Sequence, residues 1–314
     1  AGCRGGTPTF VAAQRIQEKD CCNPRTSVAA STCATQEPGP DQDRPYAGEA
    51  LAEAGVAGRI YQEVITFFER ESPAEKLAAI EERAEKNRAR FNGEVVLSPH
   101  AYQTVDAETL RALARDNAYL SIHVAETPYE SQLTRQGAGP IAEFMRSVGV
   151  EPAVTGEGVV AALAELGYMR AGVQFVHGCA LEPDDLQSMA SAGVALVHCP
   201  RSNEALGCPD APIREALDLG ITVGLGLDSA ASSGPIDMFE EMRSALSAGE
   251  RRDKPVTAEE VWRMATSGAL ASLGLPAATP SSELGMRWLC IELEDALCTQ
   301  DLVERGAPRL VRWL

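Results

Sequence analysis

The chain has 314 residues and a formal net charge of −17. Such a surface repels phosphate backbones and anionic lipid, which argues against nucleic acid and membrane as partners, and no apolar run approaches the ~20 residues that cross a bilayer. Hydrophobic residues make up 45% of the chain, enough for a large core, whereas aromatics at 5% suit helices packed on a sheet of small side chains. A single α/β barrel of about 250 residues fits within this length.

Residues 1–45 show no clear period and mix Pro, Gly and Cys, so an irregular segment is expected there. Four of the nine cysteines fall in it (Cys3, Cys21, Cys22, Cys33), and no CxxC pair occurs anywhere. Free thiols in a reduced, cytoplasmic chain are the simplest account, and the opening residues lack the apolar core of a signal peptide. From residue 46 a strand–helix alternation begins. "GRIYQEVI" (58–65) reads as a strand and "PAEKLAAIEERAEKNRARF" as a charged helix. "EVVLSPH" (94–100) is the next strand, and Asp106 can cap a helix with Leu110, Leu113 and Ala114 on one face. "YLSIHVAE" (119–126) is again a strand, residues 128–147 one helix after a proline, and "GEGVVAALAELGY" a further helix before the strand "VQFVHGC".

Three clearer units follow. Pro183 opens a helix that ends before Gly193, followed by the strand "VALVHCP"; Pro212 opens one that ends before Gly220, followed by "ITVGLGLDS"; Pro235 opens a third. Proline in the first turn and glycine past the last are the expected punctuation. Short, continuously apolar strands alternating with helices imply a parallel sheet covered on both faces. After Leu275, "GMRWLCIEL" and "RLVRWL" are strand-like runs that predict a small β appendage. The expected divisions are 1–45, 46–275 and 276–314.

The chemically informative residues sit at strand C-terminal ends: His100, His123 with Glu126, His177, His198 and Asp228. The four histidines are all that the chain has, and they close four successive strands. In a (β/α)8 barrel those ends form one rim, where active sites are built. Imidazole with carboxylate suits a divalent metal. Taken singly, each residue also fits a plainer role, a buried core histidine or a capping aspartate. "GLGLDS" could pass for a dinucleotide loop, but Ser229 replaces the third glycine and no helix is expected to open there. No GxSxG elbow occurs, "ATSGA" near Ser267 lies in a helical context, and Cys179 and Cys199 read as buried strand-end thiols rather than nucleophiles.

In order, "LSPHAYQTV", "IHVAET", "FVHG", "VHCPRSN" and "GLGLDSAAS" resemble the amidohydrolase superfamily, in its metal-dependent deaminase and chlorohydrolase branch (guanine, adenosylhomocysteine and aminofutalosine deaminases). The likeness spans roughly residues 46–275. It implies a (β/α)8 TIM barrel with one divalent metal, zinc or else iron. It implies His123 and Asp228 as ligands from the fifth and eighth strands, with His177 on the sixth as a third ligand or as the group that polarises the attacked centre. Glu126 would shuttle the proton and also contact substrate, as would His100, Ser202 and Asn203; His198 would be structural. The implied reaction is hydrolytic deamination of an aminated N-heterocycle, a purine nucleoside or base, by a metal-activated water, in a C–N hydrolase whose catalytic residues are Glu126, His177 and Asp228. A chlorohydrolase or amide hydrolase is the alternative on the same site.

One departure bears on these expectations. The family carries an HxH pair after its first strand, and this chain has no histidine before His100. The start therefore reads as a degenerate or truncated first segment. It predicts a barrel incomplete at its N-terminal strands, weak metal occupancy and impaired catalysis, or a non-catalytic barrel used for binding. A small-molecule substrate, a homodimer and a cytoplasmic location complete the expectations.

Overall fold

The computed structural model describes residues 47–53, 58–67, 72–275, 289–291 and 293–313. The segment 1–45, expected to be irregular, lies outside them. Six parallel strands follow one another in chain order: β1 (Arg59–Val64), β2 (Glu94–Pro99), β3 (Leu120–Val124), β4 (Val173–His177), β5 (Ala195–His198) and β6 (Val223–Leu225). β1 pairs with β2, and β3 to β6 pair in sequence. The β2/β3 seam is closed by a parallel bridge between Ala101 and His123, in which His123 N–H donates to His100 C=O (2.9 Å). The architecture is that of a (β/α)8 barrel; the described strands form an arc of six that does not close into a ring.

The strands form because each is a short apolar run between turn residues, and alternation sorts their side chains. Ile122, Val124, Phe175, Leu196 and Leu225 face outward into the main core, where they meet Leu110, Leu113, Leu163 and Met189 from the covering helices and Tyr168 from a loop; all are buried. The opposite face is more polar. Ser98 Oγ donates to Ser121 C=O and Gln174 Nε2 to Ser121 Oγ (2.9 Å), linking β2, β3 and β4. Above this layer lie the strand ends.

Helix boundaries follow local chemistry. Ser72 caps the helix Pro73–Arg88 in a capping box with Glu75. Asp106 caps Ala107–Asp116, with Leu110, Leu113 and Ala114 buried as the sequence implies. Pro183 opens Pro183–Ala192, which ends at the left-handed Gly193 (φ 71°). The single helix expected over 128–147 is instead two, Pro128–Gln136 and Pro140–Ser147. Gly137 adopts φ 61° and ends the first, and Pro140 starts the second. The helix expected to open at Pro235 begins at Met238, because Asp237 Oδ1 accepts from Phe239 N–H and Glu240 N–H. Likewise Pro212 is the cap of Ile213–Asp218 rather than its first residue. The C-terminal runs pair as β7 (Leu289–Ile291) and β8 (Val311–Trp313), antiparallel, which is the small β appendage.

Asp106 also ties two elements together: Thr66 Oγ1 donates to its Oδ2 (2.8 Å) while its Oδ1 accepts from Thr109 N–H (2.9 Å). Asp106→Ala removes both bonds. It is expected to destabilise the fold by about 1 kcal/mol, the usual cost of a lost cap. Urea unfolding should show a lower midpoint with an unchanged slope; an unchanged midpoint would show that the cap contributes nothing.

Candidate metal and proton-transfer site

The parallel register brings the strand ends to one level. Val124 of β3 pairs with His177 of β4, and His123 with Val176. His123 Nδ1 and His177 Nε2 lie 2.9 Å apart. His177 is fully buried, and its Nδ1 donates to Asn203 Oδ1 (2.8 Å). This fixes its tautomer: with the proton on Nδ1, the neutral ring directs its Nε2 lone pair at His123. On its other edge, His123 Nε2 lies 3.3 Å from Glu63 Oε1. Glu126 Oε1 stands 3.9 Å from His177 Nε2, with its side chain 27% exposed where that of His177 is 1% exposed. The carboxylate thus reaches toward solvent from a buried imidazole, which is where a group that exchanges protons must sit.

Asp228 follows β6. Its Oδ2 accepts from Ser202 Oγ (2.5 Å) and Ser232 Oγ (2.7 Å). Burial pushes its carboxyl up, but the neighbouring imidazoles of His177 and His123 and the two hydroxyl donors hold it below the usual carboxylate value. At His123 burial disfavours the cation, yet the Glu63 hydrogen bond and charge, reinforced by Asp228 and Glu126, raise the imidazole to about 9. A site that stabilises a positive charge at this position is electrostatically suited to a cation.

Backbone strain marks the same place. Five described non-glycine residues have positive φ, and three of them end or closely follow strands here: Ala125 (50°), His177 (74°) and Asp228 (57°). Such conformations cost of order 1–3 kcal/mol each and persist only where neighbours enforce them. At Ala125 the enforcer is Glu130. Its Oε2 accepts from Ala125 N–H (2.8 Å), and its Oε1 accepts from Glu126 N–H (2.7 Å) and Thr127 N–H (3.3 Å). Burial drives the Glu130 carboxyl up to about 7 against these donors. Glu130 therefore fixes the turn that aims Glu126.

Among the described residues, two groups could hold a metal ion, each with its donor atoms within 4.8 Å of one another: His123, Glu126 and His177, and Glu63, His100 and His123. Asp228 belongs to neither. Nitrogen and carboxylate donors fit zinc or a similar divalent ion, and the amide that holds His177 Nδ1 is the outer support such a ligand normally has. These donor types fit a divalent metal, but neither group is the set of His123, His177 and Asp228 that the resemblance implied.

Of the residues singled out by sequence, the fold brings His123, Glu126 and His177 into direct register. Asp228 lies beside them, with Ser202 on Asp228 and Asn203 on His177. His100 abuts the group with its ring centroid 4.9 Å from that of His123. His198 is buried, burial lowers its imidazole to about 3, and it joins neither metal-capable group. Cys179 and Cys199 are buried free thiols whose acidity burial opposes; for Cys179 the largest effect is the neighbouring Cys208 thiol. "GLGLDS" departs from expectation, since a short helix, Ala230–Ser233, does open there, capped by Ser229 Oγ. The third glycine of a dinucleotide loop is still absent. Sequence reasoning missed Glu63, Glu130, Ser232 and Cys208, whose Sγ lies 4.0 Å from Glu126 Oε1.

Known proteins resemble this chain in sequence and in fold. The 5-methylthioadenosine/S-adenosylhomocysteine deaminase of Pyrococcus furiosus is 34% identical over 187 residues, 57% of this chain and 41% of that protein. Its counterpart in Haloquadratum walsbyi is 29% identical over 260 residues, 80% of this chain and 55% of the relative. The chain spans about half the length of the curated relatives it matches. Among solved structures, an adenosine deaminase from Xanthomonas campestris with bound zinc superposes with a TM-score of 0.69 at 20% identity, covering 90% of this chain and 63% of that one. An atrazine chlorohydrolase from Arthrobacter aurescens complexed with zinc gives 0.63 at 21%, covering 81% and 60%. At those identities the structures speak for the fold. The family profile matches residues 17–280, which includes every strand end described above, and so the chain belongs to the amidohydrolase family.

Proposed function

We propose that the protein is a metal-dependent hydrolase that deaminates an aminated N-heterocycle of the purine nucleoside or base type. The observation that carries this reading is the position of Glu126: a solvent-reaching carboxylate 3.9 Å from a tautomer-locked imidazole, on the turn that follows His123. His123, His177 and Asp228 would hold one divalent ion, zinc ahead of iron. Such an ion makes a water nucleophilic near neutral pH. Glu126 would take the first proton of the attacking water and deliver it to the heterocycle nitrogen, and the second water proton, left on the attacking oxygen, would pass by way of Asp228 to the departing amine. His177, held through Nδ1 by Asn203, keeps its Nε2 directed at the reacting centre. Asp228 stays charged under the two serine hydroxyls and can accept a proton. His100, Ser202 and Asn203 line the approach to the substrate. The family relationship and the names of the relatives support the reaction class.

The same reading makes the protein a cytoplasmic homodimer acting on a small molecule. No helix among the described residues is long and apolar enough to cross a membrane, and the charge of −17 disfavours nucleic acid. The test is ammonia release from a panel of aminopurine nucleosides, aminopurines and aminated pyrimidines, with chlorinated triazines and simple amides beside them, using protein reconstituted with zinc or iron(II). Metal-dependent ammonia release from an aminopurine is the expected result. Chloride release without ammonia, or turnover unaffected by chelation, would overturn the deaminase reading.

A further inference from the structure

His123 offers a nitrogen on each edge of its ring. The edge facing His177 belongs to the function proposed above. The opposite edge, Nε2, faces Glu63 and His100, and this second group comes from the ends of three adjacent strands. Their positions are held by the backbone: His100 N–H donates to Val64 C=O (3.1 Å) and His123 N–H to His100 C=O (2.9 Å). The Glu63 side chain is 7% exposed and its Oε1 stands 3.3 Å from His123 Nε2, close to the edge of a tetrahedron whose donors are each ~2.0–2.2 Å from a central ion. The donor atoms of all three residues fall within 4.8 Å of one another.

The ring of His100 is held in place by Thr104. Thr104 Oγ1 lies 3.0 Å from His100 Nδ1 and 3.0 Å from Ala101 C=O, and accepts from Ala101 N–H (3.1 Å). With Nδ1 at Thr104, Nε2 is the nitrogen that His100 would present to a cation. A metal-ligating histidine is commonly supported through its far nitrogen by a polar neighbour, as Asn203 supports His177.

We infer that Glu63, His100 and His123 Nε2 form a divalent-cation site of the two-histidine, one-carboxylate type, separate from the group around His177. Imidazole and carboxylate donors select a first-row ion such as zinc over magnesium or calcium. The site draws its donors from β1 to β3, so it needs neither Asp228 nor an HxH pair. It stands whether or not the substrate is a purine.

The experiment is zinc titration of the chelator-treated full chain by calorimetry, repeated with cobalt(II) and followed by visible absorption. The variants are Glu63→Gln, His100→Gln, His177→Gln and Asp228→Asn. Glu63→Gln keeps an oxygen that can accept from His123 Nε2–H but removes the anionic ligand, so a role limited to orienting His123 would leave zinc affinity unchanged. Loss of a ligand should weaken zinc by more than the roughly 10-fold seen for the mildest outer-support changes. The expected result is that Glu63→Gln and His100→Gln each cause such a loss and alter the cobalt spectrum, while His177→Gln and Asp228→Asn retain a zinc ion of parental affinity. Thermal unfolding of the metal-free variants confirms that each is folded, and Glu63→Asp, which keeps the charge, should recover part of the affinity if Glu63→Gln is unstable. Unchanged affinity in Glu63→Gln and His100→Gln, with loss in His177→Gln and Asp228→Asn, overturns this site and leaves the proposed function standing. Absence of any zinc binding by the parent chain overturns both.

Discussion

Replacing Glu126 by glutamine is expected to cut turnover of the metal-loaded protein by about 10²-fold or more, with a much smaller change in substrate affinity. General acid–base transfer contributes about 10²–10⁴ to rate, and glutamine keeps the shape while losing the proton carrier. Two structural facts make the test clean. The side chain is 27% exposed, so the substitution buries no new unsatisfied group. The turn that aims it is held by Glu130 through three backbone N–H groups, none of which the substitution touches. The loss should therefore appear in kcat rather than KM. Near-parental turnover would remove Glu126 from the chemistry and leave it as a residue at the mouth of the site.

Much of this arrangement is legible in the sequence for a physical reason. Parallel strands buried on both faces must be short apolar runs, so a histidine at the end of one is conspicuous; His100, His123, His177 and His198 were visible on that ground alone. Their ranking was not visible. His198 ends its strand as the others do, yet it is buried outside both metal-capable groups, while Glu63 joins one of them. The signal for Glu63 was present in "RIYQEV": a glutamate inside a strand whose six residues are all buried must have a partner, but one sequence does not name it. Glu130 was hidden because a glutamate in the first turn of a helix ordinarily supports its own cap; here it reaches back to hold the preceding strand end. The break between the helices Pro128–Gln136 and Pro140–Ser147 has a signal in the sequence, a glycine followed three residues later by a proline. The three positive-φ residues have no sequence signature, because alanine, histidine and aspartate are unremarkable there until the turn is seen.

The metal question is posed differently by sequence and by structure. Sequence counts ligands against a family pattern and finds no HxH pair. The fold shows that two further donors, Glu63 and His100, stand next to His123. The sequence marks His100 but not Glu63: 60 positions separate Glu63 from His123, and the order of β1, β2 and β3 brings them together.

Glu241 provides the largest expected effect on stability. It lies on the helix Met238–Arg251, fully buried, and its Oε1 accepts from Arg201 N–H (3.0 Å) at the start of the helix Pro200–Ala205. That helix carries Ser202 and Asn203, so Glu241 anchors the residues that touch Asp228 and His177. Burial pushes its carboxyl up to about 8, against the Arg201 hydrogen bond and charge that favour ionisation. In the unfolded chain the same group ionises near 4.5. Between those two values the folded state binds more protons than the unfolded one, so this carboxyl's contribution is complete below about 4.5 and is lost as pH rises toward 8. Each tenfold change in proton affinity is worth about 1.4 kcal/mol, so the loss across this window amounts to a few kcal/mol. Glu241→Gln keeps the acceptor for Arg201 N–H and cannot ionise. Its stability relative to the parent should therefore rise by a few kcal/mol between pH 5 and pH 8.5, whatever constant offset the buried amide adds. Urea unfolding of both proteins at several pH values measures that slope directly, because every other titrating group cancels in the difference. Parallel stability curves would mean that Glu241 is already ionised in the folded protein, and that Arg201 Nη1, 3.8 Å from Oε2, supports the charge against burial.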